Sequence, residues 1–308
     1  MNFDYIECSQ EITGKDKPIL QDFQFEYRNR FNWSSYTITN VKSLTIRYNP
    51  EIGILKLAGS VPYFMEGNNF SPDISKINEA FIILTDMTGV NLMNATVTCF
   101  EFGKTFAADL APEYYFPHHT GLNGFKRNAF AHDGIVYKSR FQHLKIYNAA
   151  KNIKQKLSKA EREHLSCEKG YAPHANYLRI EAKYLRPEVS FKERPTVSRM
   201  LSEQFQDKCK SDLIKTYQQV NKTTSYSLPA NKKAYSLQKL AIKALQQYVG
   251  QSGIDAFELL RSEIKATPEG ILNKHDKKNR LRALNRMKGT LKKDWHSAFD
   301  LEKYLLNP

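Results

Sequence analysis

The sequence predicts an α+β fold, in which an antiparallel sheet with flanking helices is followed by a helical, strongly basic domain. Strand-like alternation and tight turns recur through the first two-thirds of the chain, and apolar residues at helical spacing replace them from about Arg194. Apolar side chains make up 41% of the 308 residues, which is enough for a core. We therefore expect two domains, 1–193 and 194–308.

The predicted strands of the first domain alternate in polarity and end at turn-forming residues. In chain order they are 43–48, 54–58, 96–106, 141–148 and 177–185. Pro50 and Gly53 mark a turn between the first two strands. A helix is predicted over 74–84, after the Ser71-Pro72-Asp73 start signal, and a charged helix over 149–165 continues the fourth strand. The aromatic and His-rich segment 107–135 reads as a long loop, and such loops are often functional.

The second domain is predicted to be helical. The segment 236–249 is amphipathic and meets Gly250, and 255–258 has the outline of a capping box that opens a further helix. The segment 274–293 carries nine Lys and Arg residues against one Asp. As a helix it would show an apolar stripe that docks on the rest of the domain, formed by Leu281, Leu284, Met287 and Leu291.

Charge indicates the class of partner. The formal net charge is +14 and the pI is about 9.4, which favours a polyanion such as nucleic acid. Ribosomal and membrane-surface proteins can also be basic, so the charge names no activity. We expect no membrane-spanning segment and no secretory signal. The four cysteines lie far apart without a CxxC pair, which predicts reduced thiols in a cytoplasm rather than a disulfide framework or a zinc ribbon.

Strand alternation predicts one polar surface if the last three strands are neighbours, because successive side chains point to opposite faces. Glu101 lies opposite the face of Phe100 and Phe102. The other polar positions are His143, Lys145 and Tyr147 on the fourth strand, and Arg179, Glu181 and Lys183 on the fifth. Carboxylates and an imidazole can hold Mg²⁺ or Mn²⁺, and a tyrosine oxygen can attack a phosphate polarised by the metal. The alternative is a sheet face that is merely solvated.

Four local patterns resemble, in order, the gene II/X family of filamentous-phage replication proteins and, more distantly, the initiation factors of rolling-circle plasmids. They are Leu55-Lys56-Leu57-Ala58-Gly59-Ser60 with Glu66-Gly67-Asn68-Asn69, then Thr98-Cys99-Phe100-Glu101, then Leu144-Lys145-Ile146-Tyr147-Asn148, and finally Tyr177-Leu178-Arg179-Ile180-Glu181-Ala182-Lys183. The resemblance covers roughly residues 40 to 190. It implies a relaxase-like palm and a nickase that cuts one DNA strand in the HUH-like or Rep_trans manner.

Carried over by position, the resemblance implies that Tyr147 is the nucleophile and that Glu101 and Glu181 are metal ligands. The chain departs from the family in several places. Ala149 stands where the family often has Lys, with Lys151 beyond it, and Glu101 stands where Asp is usual. Asn152 occupies the region of a common acid, and His118-His119 is the nearest approach to a His-hydrophobic-His motif. We expect His143 as third ligand, because it shares a face with Tyr147.

The expected function is that of a rolling-circle replication initiator in a bacterial cytoplasm, encoded by a phage or plasmid. Its catalytic residues would be Tyr147, Lys145 and Lys151, and its metal ligands Glu101, Glu181 and His143, holding Mg²⁺ or Mn²⁺. The residues expected to contact DNA are Lys277, Lys278, Arg280, Arg282, Arg286, Arg179 and Lys183. Partners would be single- and double-stranded origin DNA and a host polymerase and helicase. The alternatives are a non-catalytic nucleic-acid-binding protein and a related tyrosine transposase or mobilisation relaxase.

Overall fold

A large antiparallel sheet dominates the computed structural model. The structure describes residues 1–12, 18–20, 23–29, 31–38, 41–130, 133–222, 225–227, 245, 256–290, 292–294 and 300–306. The strands within these residues are β1 (Asn2–Glu11), β2 (Phe23–Arg28), β3 (Ser34–Ile38), β4 (Val41–Asn49), β5 (Ile54–Ser60), β6 (Thr96–Ala108), β7 (His119–Leu122), β8 (Lys126–Ala129), β9 (Gly134–Lys138), β10 (Gln142–Asn148), β11 (Asn176–Tyr184), β12 (Val220–Lys222), β13 (Ser225–Ser227) and β14 (Lys292–Asp294).

Ten of these strands form one sheet in the order β2-β3-β4-β5-β1-β6-β11-β10-β9-β8, and every neighbouring pair is antiparallel. β7 pairs with β12, and β13 with β14. The helices of the described chain are α1 (Val61–Glu66), α2 (Ile74–Thr88), α3 (Ala149–Lys156), α4 (Lys159–Lys169), α5 (Pro187–Phe191), α6 (Val197–Met200), α7 (Glu203–Gln218), α8 (Ala256–Ala266), α9 (Lys274–Thr290) and α10 (Glu302–Leu306). An α+β fold with an antiparallel sheet is confirmed.

All five predicted strands are present, as β4, β5, β6, β10 and β11, but several other elements differ from the prediction. The charged helix 149–165 is two helices, because Leu157 ends the first and Ser158 starts the second with a capping box to Glu161. The predicted loop 107–135 contains β7 and β8 and the start of β9. The short strands β12, β13 and β14 follow Arg194, where only helices were expected.

Predictions for the C-terminal third are tested only in part. Segment 236–249, apart from residue 245, and Asp255 of the predicted capping box lie outside the described residues. The helix expected after that box is present as α8, and most of the basic segment 274–293 is α9. Leu284 and Met287 of the predicted stripe pack against Phe257 of α8, whereas Leu291 lies outside the described residues. The search for a helix long and apolar enough to cross a membrane, made on the described residues, found none.

Three apolar clusters organise the described chain. The largest covers one face of the sheet and includes Phe100 and Phe102 of β6, together with Phe205 of α7 and Leu305 of α10. A second, around Phe70, Ile153, Leu165, Tyr171 and Tyr177, lies beside α3 and α4. The third joins α8 to α9. Helices on both sides of Arg194 thus pack on the sheet, and the division into domains 1–193 and 194–308 stays a prediction.

Candidate active site

Three adjacent strands bring the predicted polar residues together. β11 lies between β6 and β10, with Lys183 opposite Glu101 on one side and Glu181 opposite Lys145 on the other. Two residues further along β10, Tyr147 pairs with Arg179. Because side chains alternate along each strand, these residues share one face of the sheet. The predicted polar surface required these three strands to be neighbours in one sheet, and this is confirmed.

A bulge in β1 adds a residue that the sequence did not indicate. Phe3 pairs with Phe102 and Ile6 with Phe100, so Asp4 and Tyr5 together lie opposite Glu101. The extra residue re-aims the β1 side chains, as bulges beside functional sites often do. Asp4, Glu101 and Glu181 are buried, and one carboxylate oxygen from each lies within 4.8 Å of the others.

Three cations balance these three carboxylates. Lys145 Nζ lies 2.8 Å from Glu101 Oε1 and 2.9 Å from Glu181 Oε1, so it bridges the two glutamates. Lys183 Nζ lies 3.2 Å from Glu101 Oε1. Arg179 Nε donates to Glu181 Oε2 at 2.7 Å, and its Nη2 lies 3.4 Å from Asp4 Oδ2. A buried carboxylate needs such partners, since an unpaired charge is costly to desolvate.

Around Arg179 this face is covered, whereas Lys145 and Lys183 remain partly exposed. Arg179 is only 2% exposed, and its Nη1 donates to the Asn69 carbonyl at 3.1 Å and to the Thr105 hydroxyl at 3.2 Å. Tyr177, on the same strand face, packs in the second apolar cluster with residues of α3 and α4. Arg179 was expected to contact DNA. That expectation is wrong, because its guanidinium group is buried and bonds Glu181 and Asp4. Asp4 also accepts hydrogen bonds from Ser60 and Asn69.

The Tyr147 hydroxyl belongs to this cluster. It donates to Glu181 Oε2 at 3.2 Å, the oxygen that also accepts from Arg179. Burial and the nearby Glu181 carboxylate raise the pKa of Tyr147 well above its ordinary value. The resting hydroxyl is therefore protonated at neutral pH.

The ion pairs shift the other pKa values in the opposite sense to burial. Burial alone would raise the pKa of Glu181, but Arg179 and Lys145 outweigh it and lower that pKa to about 2. Burial would likewise lower the pKa of Lys145, yet Glu181 and Glu101 raise it above its ordinary value. Glu181 and Lys145 are thus both charged over the whole physiological range.

Asp4, Glu101 and Glu181 offer the oxygen ligands that Mg²⁺ and Mn²⁺ take in proteins. The site fits such an ion in ligand type, burial and spacing. An ion that bridged Glu101 and Glu181 would take the place now held by the Lys145 ammonium. His143, the expected third ligand, is not part of this group. Burial, Lys138, Lys145 and Lys183 all lower its pKa.

Two glycines allow the strands to approach closely at the site. A Cβ added to Gly103 would lie 2.5 Å from Glu181 Cβ. A Cβ added to Gly134 would lie 2.7 Å from both Tyr147 Cβ and the Ile146 carbonyl oxygen. The absence of a side chain at each glycine therefore lets the neighbouring strand, which carries Glu181 or Tyr147, lie this close.

The remaining predicted residues lie outside the cluster. Lys151 Nζ bonds Asp133 at 2.6 Å and 2.8 Å, near the N-terminus of α3. Tyr137, ten residues before Tyr147 and the alternative nucleophile among the tyrosines, is buried in the main core and donates to the His119 carbonyl at 2.8 Å. Lys277, Lys278, Arg280, Arg282 and Arg286 all lie on α9. Comparison of the chain with protein-family models, curated proteins and solved structures finds no match.

Sequence reasoning missed Asp4, Gly103 and Gly134. Asp4 lies in an apolar-polar segment whose buried residues are Phe3, Ile6 and Cys8, and the bulge breaks the two-residue period that marks a strand. The one signal was an acidic residue within a short apolar segment. Gly103 interrupts a predicted strand, which can indicate a close approach of two backbones, whereas Gly134 lay in the predicted loop 107–135 and carried no such signal.

Proposed function

We propose that this chain is a metal-dependent tyrosine nickase that initiates rolling-circle replication of a phage or plasmid. The observation that carries the proposal is the hydrogen bond from the Tyr147 hydroxyl to Glu181, within a group of three buried carboxylates. The ordered resemblance to phage gene II/X-type initiators supports it, as does the net charge of +14. In this proposal β6, β11 and β10 form the relaxase-like palm, and the basic C-terminal helices contact DNA.

In the proposed reaction, Tyr147 Oη attacks the phosphorus of one phosphodiester in exposed single-stranded DNA. The Oη–P bond forms as the P–O3′ bond breaks, which leaves a 5′-phosphotyrosine and a 3′ hydroxyl. The tyrosine proton passes to Glu181 Oε2, which already accepts it, and solvent protonates the departing 3′ oxygen. Because the pKa of Tyr147 is raised, loss of this proton must accompany attack.

The surrounding cations have defined roles. Arg179 bonds Glu181 Oε2, and Lys145 bonds Glu181 Oε1 until an ion displaces it. Both cations would then be close enough to the site to stabilise negative charge that develops on the phosphate. A divalent ion on Asp4, Glu101 and Glu181 would polarise the scissile phosphate. The phosphotyrosine bond retains the energy of the phosphodiester, so a 3′ hydroxyl can later attack it and close the strand.

A covalent adduct tests the proposal. The protein is incubated with labelled single-stranded DNA and Mn²⁺, and the products are separated on a denaturing gel. A labelled band at the protein's mass that is mapped to Tyr147 is expected. Labelled DNA that stays free across candidate phage and plasmid origin sequences would contradict nicking. The DNA sequence that gives the adduct would separate an initiator from a mobilisation relaxase or tyrosine transposase.

One observation favours a second candidate, a non-catalytic nucleic-acid-binding protein. Three cations already neutralise the three carboxylates. A network balanced in this way can have a purely structural role, in which it holds neighbouring strands together. A protein of this kind would bind DNA with the same affinity with and without Mn²⁺ and would form no adduct.

A further inference from the structure

Helix α9 presents two chemically different sides. One side packs on α8, where Leu284 and Met287 contact the cluster around Phe257. Its other side is exposed and carries cations and amides. The packed side fixes the orientation of the helix, so the exposed side is a defined surface.

Some polar residues of α9 are used to hold the two helices together. Lys277 Nζ donates to the Lys265 carbonyl at 3.2 Å, and Lys288 Nζ lies 3.7 Å from Glu258. Asn285 accepts a hydrogen bond from Arg261 at 3.0 Å. These groups belong to the α8–α9 contact.

Other polar residues of α9 have no such role. Asn279, Arg282 and Arg286 are exposed, and within the described part of the chain none makes a hydrogen bond or ion pair. They stand at i, i+3 and i+7, so they share one face of the helix, and with Asn285 they line a shallow groove. Among the residues that the structure describes, nothing covers this cationic surface, and its position on α9 is fixed.

The residue types point to base edges as well as phosphates. Arginine can bond guanine O6 and N7 with two parallel donors, and asparagine can pair with adenine N6 and N7. An amide in line with two guanidinium groups can bond a phosphate, but it can also pair with a base edge, which a lysine-only surface could not do in the same way. A helix of 17 residues is about 25 Å long and fits the major groove of B-form DNA.

We infer that α9 is a recognition helix for duplex DNA, in which Asn279, Arg282 and Arg286 read bases in the major groove. Lys278 and Arg280, which are exposed on its flanks, contact the phosphates. The inference rests on the proposed function and deepens it, because it names the surface that would select the origin duplex. It also separates residues that set sequence preference from residues that set affinity.

Selection from a pool of randomised DNA duplexes tests the inference with the full chain. The binding is done in EDTA, so that no strand is cut. The wild-type protein is expected to enrich one sequence motif. Asn279→Ala combined with Arg282→Lys and Arg286→Lys keeps the cations but removes the paired donors. This variant should lose about 10- to 100-fold of the preference for the motif over random duplex, with an unchanged salt slope.

The matched control is Lys278→Gln with Arg280→Gln. It should bind every duplex more weakly and show a salt slope that is shallower by about 0.9 per lost phosphate contact, but it should enrich the wild-type motif. All five substitutions are at exposed positions, and circular dichroism checks that helix content is unchanged.

Three results would overturn the inference: a wild-type protein that enriches no motif, a triple variant with wild-type preference, or tighter binding of duplex RNA than of duplex DNA. The adduct assay on single-stranded DNA is separate. An adduct without a duplex motif overturns the recognition helix alone, and a motif without an adduct supports the helix while it overturns nicking.

Discussion

Lys145 of β10 lies directly opposite Glu181 of β11, and its ammonium is 2.9 Å from one Glu181 oxygen and 2.8 Å from Glu101. The lysine therefore holds the position that a cation bridging the two glutamates would occupy. A divalent ion bound to these oxygens would compete with the Lys145 ammonium, so the affinity for the ion would report on that competition.

Lys145→Met should bind Mn²⁺ more tightly than the wild type, by about tenfold, because a positive charge next to two ligands is removed. Titration followed by electron paramagnetic resonance of free Mn²⁺ measures the affinity. Lys151→Met is the matched control, since Lys151 pairs with the exposed Asp133 and should leave the affinity unchanged. Equal Mn²⁺ affinity in Lys145→Met and wild type would show that the two cations do not share a position.

Tyr147→Phe should abolish the covalent adduct while DNA binding is retained, because only the attacking oxygen is removed. The lost hydrogen bond to Glu181 should lower the free energy of unfolding by about 1 kcal/mol. Tyr137→Phe is the control and should still form adduct, since its hydroxyl is buried against the His119 carbonyl. Adduct in Tyr147→Phe, together with its loss in Tyr137→Phe, would assign the nucleophile to the other tyrosine.

Glu181→Gln and Glu101→Gln should both weaken Mn²⁺ binding but should differ in stability. Removing the Glu181 charge leaves the buried Arg179 with Asp4 as its remaining anionic partner, so we expect a loss of about 3 kcal/mol. Glu101 pairs with the partly exposed Lys145 and Lys183, and its loss should cost about 1 kcal/mol. Urea unfolding gives both values, and an equal or reversed order would contradict this account of the network.

Much of the site follows from the two-residue period of β6, β10 and β11, which places Glu101, Tyr147 and Glu181 on one face. Periodicity shows which residues share a face but not what covers that face, and the exposure of Arg179 was therefore misjudged. Asp4 was missed because a bulge breaks the alternation in β1. The edge strands β2 and β8 were missed because few of their residues are buried, so their sequences lack the alternation that marks a strand.

His119 should make the protein less stable as the pH falls from about 6.5 to about 4. Its Nδ1–H donates to the Tyr115 carbonyl at 2.8 Å, and its Nε2 lies 2.9 Å from the Tyr217 hydroxyl. Burial lowers its pKa from 6.5 to about 4. The unfolded chain therefore binds the proton more tightly, and the folded state should lose about 3 kcal/mol across this window.

Urea unfolding at a series of pH values measures this effect, with His119→Gln as the comparison. The variant should be less stable at neutral pH, but its stability should change little between pH 6.5 and pH 4. This pH range lies above the one in which Glu181 should affect stability. Because the pKa of Glu181 is lowered from 4.5 to about 2, protonation of Glu181 should destabilise the folded protein between pH 4.5 and pH 2. An identical pH dependence in variant and wild type would remove His119 as the cause.

Gly134→Ala should lower the yield of covalent adduct although it replaces no polar residue. The added Cβ would lie 2.7 Å from Tyr147 Cβ, so β9 and β10 must separate and the tyrosine must shift. Overpacking of this kind costs about 1–3 kcal/mol. Gly270→Ala is the control, because no atom lies within 4 Å of a Cβ there. Wild-type adduct formation in Gly134→Ala would show that the spacing of the strands does not position Tyr147.

The central place of β1 has a consequence for how the protein reaches its native state. β1 pairs with β5 on one side and β6 on the other, and Asp4 meets Arg179 at a separation of 175 residues. Contacts of such length form slowly, because the loop between them must close first. Until β1 inserts, Asp4 is absent from the network, so Arg179 has Glu181 as its carboxylate partner but lacks Asp4. Refolding should therefore show the two halves of the sheet, β2 to β5 and β6 with β8 to β11, forming first, with the insertion of β1 between them as the slow step that completes the carboxylate cluster.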